Sequence, residues 1–226
     1  MSACSNDAIG NAPVILQLDS NSEQYKDVMG QFESQWKHPT PIGGRHASVV
    51  KIWKIVSTRD AHGRFSRYQL SVERKRNLPG ANTKRRWHGT IRSCRLGDAD
   101  NENTLCNTFQ CSLCSIIRTS FQLAHVGQRT NFGRFGAGIY TSATSSKAND
   151  YVAERGTSSY RALLLNDVVL GKTVKLTTGN PTLTEPPQDC DSVIGEPGGD
   201  LNYDESIVYK NEAIRPAFLV IFDAGV

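Results

Sequence analysis

The chain has 226 residues, of which 38% are hydrophobic and 21% are charged, and its formal net charge is +4. This composition is typical of a soluble globular protein, and the length fits one large domain or a domain with a short arm. No apolar run approaches the roughly 18 residues of a membrane span. The N-terminus lacks the basic and apolar stretches of a secretory signal. We therefore expect no membrane association and a nuclear or cytoplasmic location.

Residues 1–44 are predicted to form an arm and a helix that packs on the main domain, residues 45–226. Residues 1–20 are rich in Ser, Asn and Asp and contain one apolar run. Within residues 21–37, apolar side chains recur every three or four positions, which is the pattern of an amphipathic helix. These side chains are Tyr25, Val28, Met29, Phe32 and Trp36. Proline disfavours helical geometry in the residue before it, so the sequence predicts that this helix ends near Pro39.

The main domain is predicted to contain more strands than helices. β-Branched and apolar runs indicate strands at residues 47–57, 159–170, 206–210 and 217–222. A helix is predicted over residues 64–76, and the proline and glycine content of residues 180–200 predicts a long loop. Because the strands cluster late in the chain, we expect an α+β fold with antiparallel sheets and flanking helices.

Basic residues cluster at 74–76 and 84–86. A solvated helix end and loop explain them, and a nuclear-import or nucleic-acid patch is the alternative.

Three stretches carry candidate chemistry. In residues 86–90, a His-Gly pair follows Trp87, which lets the backbone approach a ligand while the imidazole reaches past it. Residues 134–151 place two glycines before Ile139-Tyr140 and continue through Ser-Ser-Lys to Tyr151. Their spacing does not fit a dinucleotide-binding βαβ unit. In residues 202–209, Glu205 opens a β-branched strand, which suits the rim of a pocket.

In this order, the three stretches resemble the catalytic domain of the poly(ADP-ribose) polymerase family from about residue 45 to residue 222. The second stretch is the most specific, because Gly-Ile-Tyr followed by Ser-Ser-Lys and a later Tyr is similar to tankyrase-type members. The order His, Tyr, Glu matches the family's catalytic triad and falls on His88, Tyr140 and Glu205. The resemblance implies an ADP-ribosyltransferase fold with a split antiparallel β-core. It also implies transfer of ADP-ribose from NAD, with release of nicotinamide, to a macromolecular acceptor.

The resemblance also implies a role for each site residue. Gly89 would hold the nicotinamide carboxamide through its backbone, and Tyr151 and Tyr140 would form the two walls around the nicotinamide ring. His88 would hydrogen-bond the adenosine ribose, and Glu205 would accept a hydrogen bond from the nicotinamide ribose. A carboxylate there stabilises the positive charge that develops as the glycosidic bond breaks.

The sequence departs from the family at Ala148, where a serine usually donates to the carboxamide. Ser146, or its neighbour Ser145, is predicted to substitute, or Gly89 holds the carboxamide alone. Tyr203 and Lys147 match positions of chain-extending members, so both mono- and poly-ADP-ribosylation stay open.

Four of the six cysteines are close in sequence, with two of them spaced as Cys-x2-Cys: Cys94, Cys106, Cys111 and Cys114. This spacing is compatible with a tetrahedral structural zinc site. Tankyrases carry a zinc site after the Gly-Ile-Tyr stretch, whereas these cysteines precede it, so the prediction depends on spacing alone. Buried free thiols and regulatory oxidation are the alternatives.

We therefore expect an NAD-dependent ADP-ribosyltransferase that modifies a protein acceptor in preference to nucleic acid. A non-catalytic module that binds NAD or ADP-ribose is one alternative, and a zinc-bearing nucleic-acid module is another.

Overall fold

A computed structural model describes residues 10–40, 42–123 and 133–225. Its four α-helices are α1 (Glu23–Ser34), α2 (Arg59–Arg76), α3 (Ser112–Thr119) and α4 (Ser145–Asn149). The first six strands are β1 (Val14–Gln17), β2 (Ser48–Val56), β3 (Thr83–Gly89), β4 (Ile91–Arg92), β5 (Ile139–Thr141) and β6 (Ala153–Glu154). The other five are β7 (Arg161–Val169), β8 (Thr173–Leu176), β9 (Ser192–Gly195), β10 (Glu205–Val208) and β11 (Ile214–Asp223).

The larger sheet has five strands in the order β1-β2-β11-β7-β3, and all its pairings are antiparallel. Its central strands are apolar on both sides because helices and loops cover both faces; Leu163, Leu164 and Leu165 are all buried. The helix α1 lies on one face, where Val28 and Phe32 pack with Trp87 of β3. The α3 helix contributes to the apolar cluster on the other face.

The smaller sheet has four strands in the order β5-β10-β9-β8. Its β5-β10 and β10-β9 pairs are antiparallel, and its β8-β9 pair is parallel. The strands β4 and β6 form a separate parallel pair. In the sequence, β4 directly follows β3, the edge strand of the larger sheet. Among the described residues, no helix is long and apolar enough to cross a membrane.

The structure confirms the α+β fold with an antiparallel core and corrects three details of the sequence interpretation. The apolar run in the N-terminal arm forms β1, which extends the larger sheet by pairing with β2. The α2 helix begins at Arg59, five residues before the predicted start, and Thr58 caps it. The predicted loop over residues 180–200 contains β9, whose pairing with β10 and β8 depends on contacts that are distant in sequence.

Candidate active site

The two sheets meet at a backbone bridge beside the candidate site. The Trp87 N–H donates to the Ser142 carbonyl (2.8 Å), and the Ser142 N–H donates to the Trp87 carbonyl (3.0 Å). His88 follows Trp87 on one side of this bridge, and Tyr140 precedes Ser142 on the other. His88 and Tyr140, 52 positions apart in the sequence, are thereby fixed next to each other.

Gly89 ends β3 against the helix α4. A Cβ atom at this position would lie 1.9 Å from the Ala148 carbonyl oxygen and 3.2 Å from the Val152 side chain, so a side chain cannot be accommodated without displacing backbone. Backbone polar groups alternate in direction along a strand, so the Gly89 N–H and C=O point to the same side as those of Trp87, away from β7. The glycine therefore lets α4 pack directly on β3, and its backbone N–H and C=O point outward from the edge of the sheet, where a ligand can reach them.

His88 is held in one tautomer by the neighbouring strand. Its Nδ1 lies 2.8 Å from the Tyr140 carbonyl oxygen, which can only accept, so Nδ1 carries the proton and Nε2 is left as an acceptor. Burial lowers the pKa of His88, and the hydrogen bond to Tyr140 opposes this shift. The imidazole is therefore neutral near pH 7 and suited to accept a hydrogen bond from a hydroxyl.

The two tyrosines differ in how firmly they are fixed. The Tyr140 hydroxyl accepts from the Phe135 N–H (2.8 Å) and donates to the Gly136 carbonyl (2.9 Å), and burial raises the pKa of this phenol. Tyr151 is 52% exposed, and the Lys147 ammonium lies 5.0 Å from the centre of its ring. One wall of the cleft is thus rigid, and the other presents an uncovered aromatic face.

Glu205 is the buried acid of the cleft. Its side chain lies at the first position of β10 and the residue is only 6% exposed, yet its Oε2 accepts no hydrogen bond from any residue that the structure describes. Burial raises the pKa of Glu205, whereas the Lys147 and Arg134 cations lower it. A buried carboxylate oxygen without a partner is costly, and such groups in native proteins call for a functional explanation.

Electrostatic interactions show which predicted residues the structure brings together. The charge of Glu205 and the phenol of Tyr151 both act on the pKa of Tyr140. His88 contacts the Tyr140 backbone directly. The pairing of β10 with β5 places Ser206 opposite Thr141, so Glu205 and Tyr140 lie in neighbouring strands. Glu205, Tyr140, Tyr151 and His88 are therefore grouped in one region of the fold, with Gly89 next to His88, and we refer to this region as the cleft.

Ser146 does not join this group. Its hydroxyl is fully buried on the other side of α4, where it accepts hydrogen bonds from the Lys37 and His38 backbone N–H groups (3.0 and 3.2 Å). Ser145 likewise donates to the Phe32 carbonyl (2.8 Å). Both serines anchor α4 to the segment around α1, so the carboxamide contact predicted for Ser146 is absent from the geometry of the cleft.

Asp204 is a supporting residue for which the sequence analysis predicted no role. It accepts hydrogen bonds from the Ser142 hydroxyl (2.9 Å), the Thr144 hydroxyl (2.9 Å) and the Ala143 N–H (2.7 Å). These contacts tie the start of β10 to the turn between β5 and α4, and so fix Glu205 relative to Tyr140 and Tyr151. Its position directly before Glu205 was the one indication of a role in the sequence. The partners that define this role are about 60 residues away and could not be predicted from it.

The four cysteines predicted as metal ligands also converge. All four sulfur atoms lie within 4.8 Å of one another, and Cys94 Sγ is 3.8 Å from Cys111 Sγ and 3.6 Å from Cys114 Sγ. Cys111 caps α3, Cys114 lies in its first turn, and Arg118 of the same helix donates to the Cys106 carbonyl (2.6 Å). The loop and the helix thus hold the thiols in one group.

A surface depression lies elsewhere and does not resemble a catalytic site. It has a volume of about 430 Å³ and is lined by Arg64, Arg67, Tyr68, Ser71, Lys210 and Glu212. No histidine or buried unpaired acid belongs to this lining. The chemistry of the residues, and not the size of the depression, identifies the cleft at Glu205 as the candidate active site.

The fold and the candidate site define a small α+β domain in which a buried acid, two tyrosines and a neutral histidine are grouped together. Comparison with known proteins specifies the family. The sequence model of the poly(ADP-ribose) polymerase catalytic domain matches residues 22–199, so the chain belongs to this family and the resemblance seen in the sequence is confirmed. The match ends before Glu205, whose placement comes from the geometry of the cleft.

Individual relatives agree with this assignment. The chain is 37% identical over 100 residues to mouse protein mono-ADP-ribosyltransferase PARP4. This alignment covers 42% of the chain and 5% of that protein. It is 26% identical over 180 residues to human protein mono-ADP-ribosyltransferase PARP3, which covers 78% of this chain and 27% of that protein. The aligned region is thus a twentieth to about a quarter of the length of these relatives. The boundary between an arm at residues 1–44 and a catalytic domain at 45–226 stays a prediction.

Proposed function

We propose that this domain is an NAD-dependent ADP-ribosyltransferase that uses the cleft between the two sheets. The observation that carries the proposal is the buried carboxylate oxygen of Glu205, which has no hydrogen-bond partner among the described residues and belongs to the strand next to that of Tyr140. Family membership supplies the reaction class, transfer of ADP-ribose from NAD with release of nicotinamide.

The cleft offers a separate contact to each part of the dinucleotide. The exposed Tyr151 ring supplies a flat surface for the nicotinamide, and such ring contacts contribute about 0.5–1.5 kcal/mol beyond burial. The free backbone groups of Gly89 can bond the carboxamide. The neutral His88 imidazole accepts a hydrogen bond at Nε2 from a hydroxyl of the adenosine ribose.

Glu205 acts on the glycosidic bond. As the bond breaks, its electron pair moves to the ring nitrogen of nicotinamide, and positive charge develops on the ribose. The Glu205 carboxylate accepts a hydrogen bond from a ribose hydroxyl and stabilises this charge more in the transition state than in the ground state. The acceptor nucleophile then forms the new bond to the ribose carbon and loses its proton.

Nicotinamide release from NAD tests this function. We expect wild-type protein to release nicotinamide and Glu205→Gln to lose at least roughly a hundredfold in kcat, because the charge that stabilises the transition state is gone. NAD affinity of the variant should change little. Glu185→Gln, on the exposed part of residues 180–189, is the matched control and should retain full activity. Binding of NAD by wild-type protein without any release would instead identify a non-catalytic module.

We propose a protein acceptor, and the names of the relatives, which describe protein mono-ADP-ribosyltransferases, support this choice. Incubation with labelled NAD and a cell extract, followed by protease or nuclease, identifies the class of acceptor. A labelled product that nuclease removes and protease does not would overturn the protein assignment. The size of the attached label separates mono- from poly-ADP-ribosylation.

We also propose that the four cysteines bind one structural zinc ion. Four Zn–S bonds of about 2.3 Å in a tetrahedron place sulfur atoms about 3.8 Å apart. The measured Sγ–Sγ distances from Cys94, 3.8 and 3.6 Å, already match this spacing. Four thiolates leave no open coordination position, so the site would stabilise the fold and take no direct part in catalysis.

Metal analysis of purified protein tests the zinc site. We expect one zinc ion per chain in wild-type protein and less than half of this in Cys114→Ser. Cys190→Ser, which changes a thiol outside the group, should leave the metal content unchanged. Fully active protein without metal would exclude the site.

A further inference from the structure

Phe121 connects the four-cysteine site with the proposed NAD site. It lies two residues after α3 and is almost fully buried. Its ring packs perpendicular to the His88 imidazole, with 5.0 Å between ring centres and 85° between ring planes. No described role in NAD contact or metal binding requires this phenylalanine. Phe121 contacts the cysteine-bearing cluster on one side and His88 on the other, and these contacts explain its position.

On one side, Phe121 belongs to the apolar cluster that contains the cysteines. Cys111, Cys114 and Ile117 are all buried in this cluster with it. Cys111 and Cys114 lie at the N-terminal end of α3, and Phe121 follows its C-terminal end, so the helix transmits the placement of the thiols to the ring. A shift of α3 would move Phe121 directly.

The segment around Phe121 is fixed at both ends. Ser120 has φ 64° and ψ −178°, a conformation that non-glycine residues rarely adopt and that persists only where surrounding contacts determine it. The Ser120 hydroxyl donates to the Ile214 carbonyl (3.2 Å), and the Leu123 N–H donates to the Asn211 side chain (2.7 Å). The chain is thereby held in the one direction that aims Phe121 at His88.

On the other side, two contacts set the direction of His88 Nε2. The Tyr140 carbonyl fixes the Nδ1 end of the ring, and the perpendicular contact with Phe121 limits rotation of the ring plane. A hydrogen bond that the imidazole Nε2 accepts from a ribose hydroxyl weakens steeply with misalignment. Loss of the Phe121 contact would therefore reduce the affinity for NAD without changing the acid that acts on the glycosidic bond.

We propose that Phe121 is a positioning residue for His88, and that metal binding at the four cysteines sets the affinity for NAD through it. This proposal rests on the proposed NAD site and the proposed zinc site. It predicts that removal of the metal and removal of the Phe121 ring impair the same step, so that their effects are not additive.

A second connection runs from the cysteines to the other wall of the cleft and makes a distinct prediction. The buried Arg92 donates to Asp98, within the cysteine-bearing segment, and to Glu154 of β6, which follows Tyr151. Coupling by this route would survive loss of Phe121. A double-mutant cycle therefore separates the two routes.

The experiment measures NAD affinity by calorimetry, kcat and KM, and metal content for Phe121→Leu, Cys114→Ser and the double variant. Phe121→Leu keeps most of the apolar volume and all four thiols, so we expect unchanged metal content and a roughly three- to tenfold weaker affinity, with kcat at saturating NAD within twofold. Cys114→Ser should lose metal and weaken the affinity to a similar degree. The double variant should be no weaker than the weaker single variant.

Three controls distinguish a specific effect on His88 from a general loss of structure. Phe109→Leu changes an exposed ring in the same cysteine-bearing segment and should leave NAD affinity unchanged. Thermal unfolding of each variant establishes that it is folded, and chelation of metal from wild-type protein repeats the Cys114→Ser arm if that variant does not fold. Independent, multiplying effects in the double variant, or an unchanged affinity in Phe121→Leu, would overturn the proposal.

Nitrogen chemical shifts of the His88 imidazole give a readout that does not depend on turnover. Wild-type protein should show sharp signals of a single tautomer with the proton on Nδ1, and Phe121→Leu and metal-depleted protein should both show broadened signals and a shifted Nε2 resonance, because the ring is free to rotate. Wild-type protein that neither binds NAD nor releases nicotinamide would end the proposed function. In that case the imidazole shifts still decide whether Phe121 and the metal orient His88.

Discussion

The two sheets of this domain both pack on apolar clusters, but the smaller sheet has the smaller cluster and carries the polar contacts around the candidate site. The five-stranded sheet is a stack of apolar side chains, and its central strands β7 and β11 bury almost every residue. The four-stranded sheet packs on a smaller apolar cluster that includes Val193 and Ile207. Polar contacts are added near the candidate site: the Thr141 hydroxyl donates to the Ser206 carbonyl (2.9 Å), and Arg86 Nε donates to the Ser206 hydroxyl (3.0 Å). Glu205 and Asp204 both lie at the start of its strand β10.

The difference separates stability from chemistry. Apolar burial is tolerant of direction, so it stabilises the fold without orienting a reacting group. Hydrogen bonds depend on distance and angle, so they can hold a carboxylate relative to a tyrosine ring. We therefore expect changes in the larger sheet to alter the free energy of unfolding, and changes in the smaller sheet to alter turnover.

The largest effect on stability is expected from Ile52→Ala in the larger sheet. Ile52 is fully buried in β2, and truncation of such a residue lowers the free energy of unfolding by about 2–5 kcal/mol. Nicotinamide release per folded molecule should stay within twofold of wild type. Val14→Ala, on the exposed side of β1, is the control, and its stability should change by less than about 0.5 kcal/mol. Urea unfolding provides the measurement.

A smaller loss of stability and a larger loss of activity are expected from Asp204→Ala. The variant loses three hydrogen bonds at the turn before α4, and we expect a decrease of roughly 1.5–3 kcal/mol in the free energy of unfolding. Because Glu205 is no longer fixed relative to the tyrosines, kcat/KM should fall at least roughly tenfold. Asp200→Ala removes one hydrogen bond, to the Gly179 N–H, and should not affect kcat/KM. Equal activity of both variants would contradict the division between the sheets.

The pH dependence of stability tests the burial of Glu205. Burial raises its pKa above the ordinary value of 4.5, so the folded state favours the protonated form. The resulting stabilisation is present below pH 4.5 and is lost as pH rises through the higher pKa of the folded state. Relative to Glu205→Gln, wild-type protein should therefore lose stability over this interval. Its nicotinamide release should increase over the same interval as the carboxylate ionises. Parallel curves for the two proteins would show that Glu205 is not buried as described.

The smallest effect on stability is expected from Tyr151→Ala. The ring is half-exposed and its main contact is with the Lys147 ammonium, so the free energy of unfolding should change by less than about 0.5 kcal/mol. If the ring covers nicotinamide, KM for NAD should nevertheless rise roughly three- to tenfold. Tyr160→Ala, outside the cleft, tests for a general loss of aromatic surface. An unchanged KM in Tyr151→Ala would remove this wall from the site.

The sequence predicted the elements whose signal is local. The amphipathic spacing of Tyr25, Val28 and Phe32 gave the first helix, and their burial confirms the face that packs on the sheet. The apolar run before Gly171 gave β7 within two residues at its start. Periodicity reports burial on one element at a time, which is why these predictions succeeded.

The errors concern contacts between segments that are distant in sequence. The strand β9 lies in a glycine- and proline-rich region and forms because β8 and β10 flank it. The Ser146 hydroxyl accepts hydrogen bonds from the backbone N–H groups of Lys37 and His38, which are 109 and 108 positions away. It therefore points to the segment that follows α1 and not to the cleft. The short motif around Tyr140 carried the family resemblance, but it held no information on which face of α4 each serine would occupy.

The spacing of the two sheets at the cleft depends on the register of the Trp87–Ser142 bridge. His88 and Tyr140 stay adjacent only while these two residues exchange their backbone hydrogen bonds. Side chains alternate along a strand, so the next equivalent pairing would require a slip of two residues, or about 7 Å. We therefore expect no gradual increase in the distance between the sheets at this bridge. The two residues are either paired or locally separated. The amide protons of Trp87 and Ser142 report which, because solvent can exchange them only in the open state.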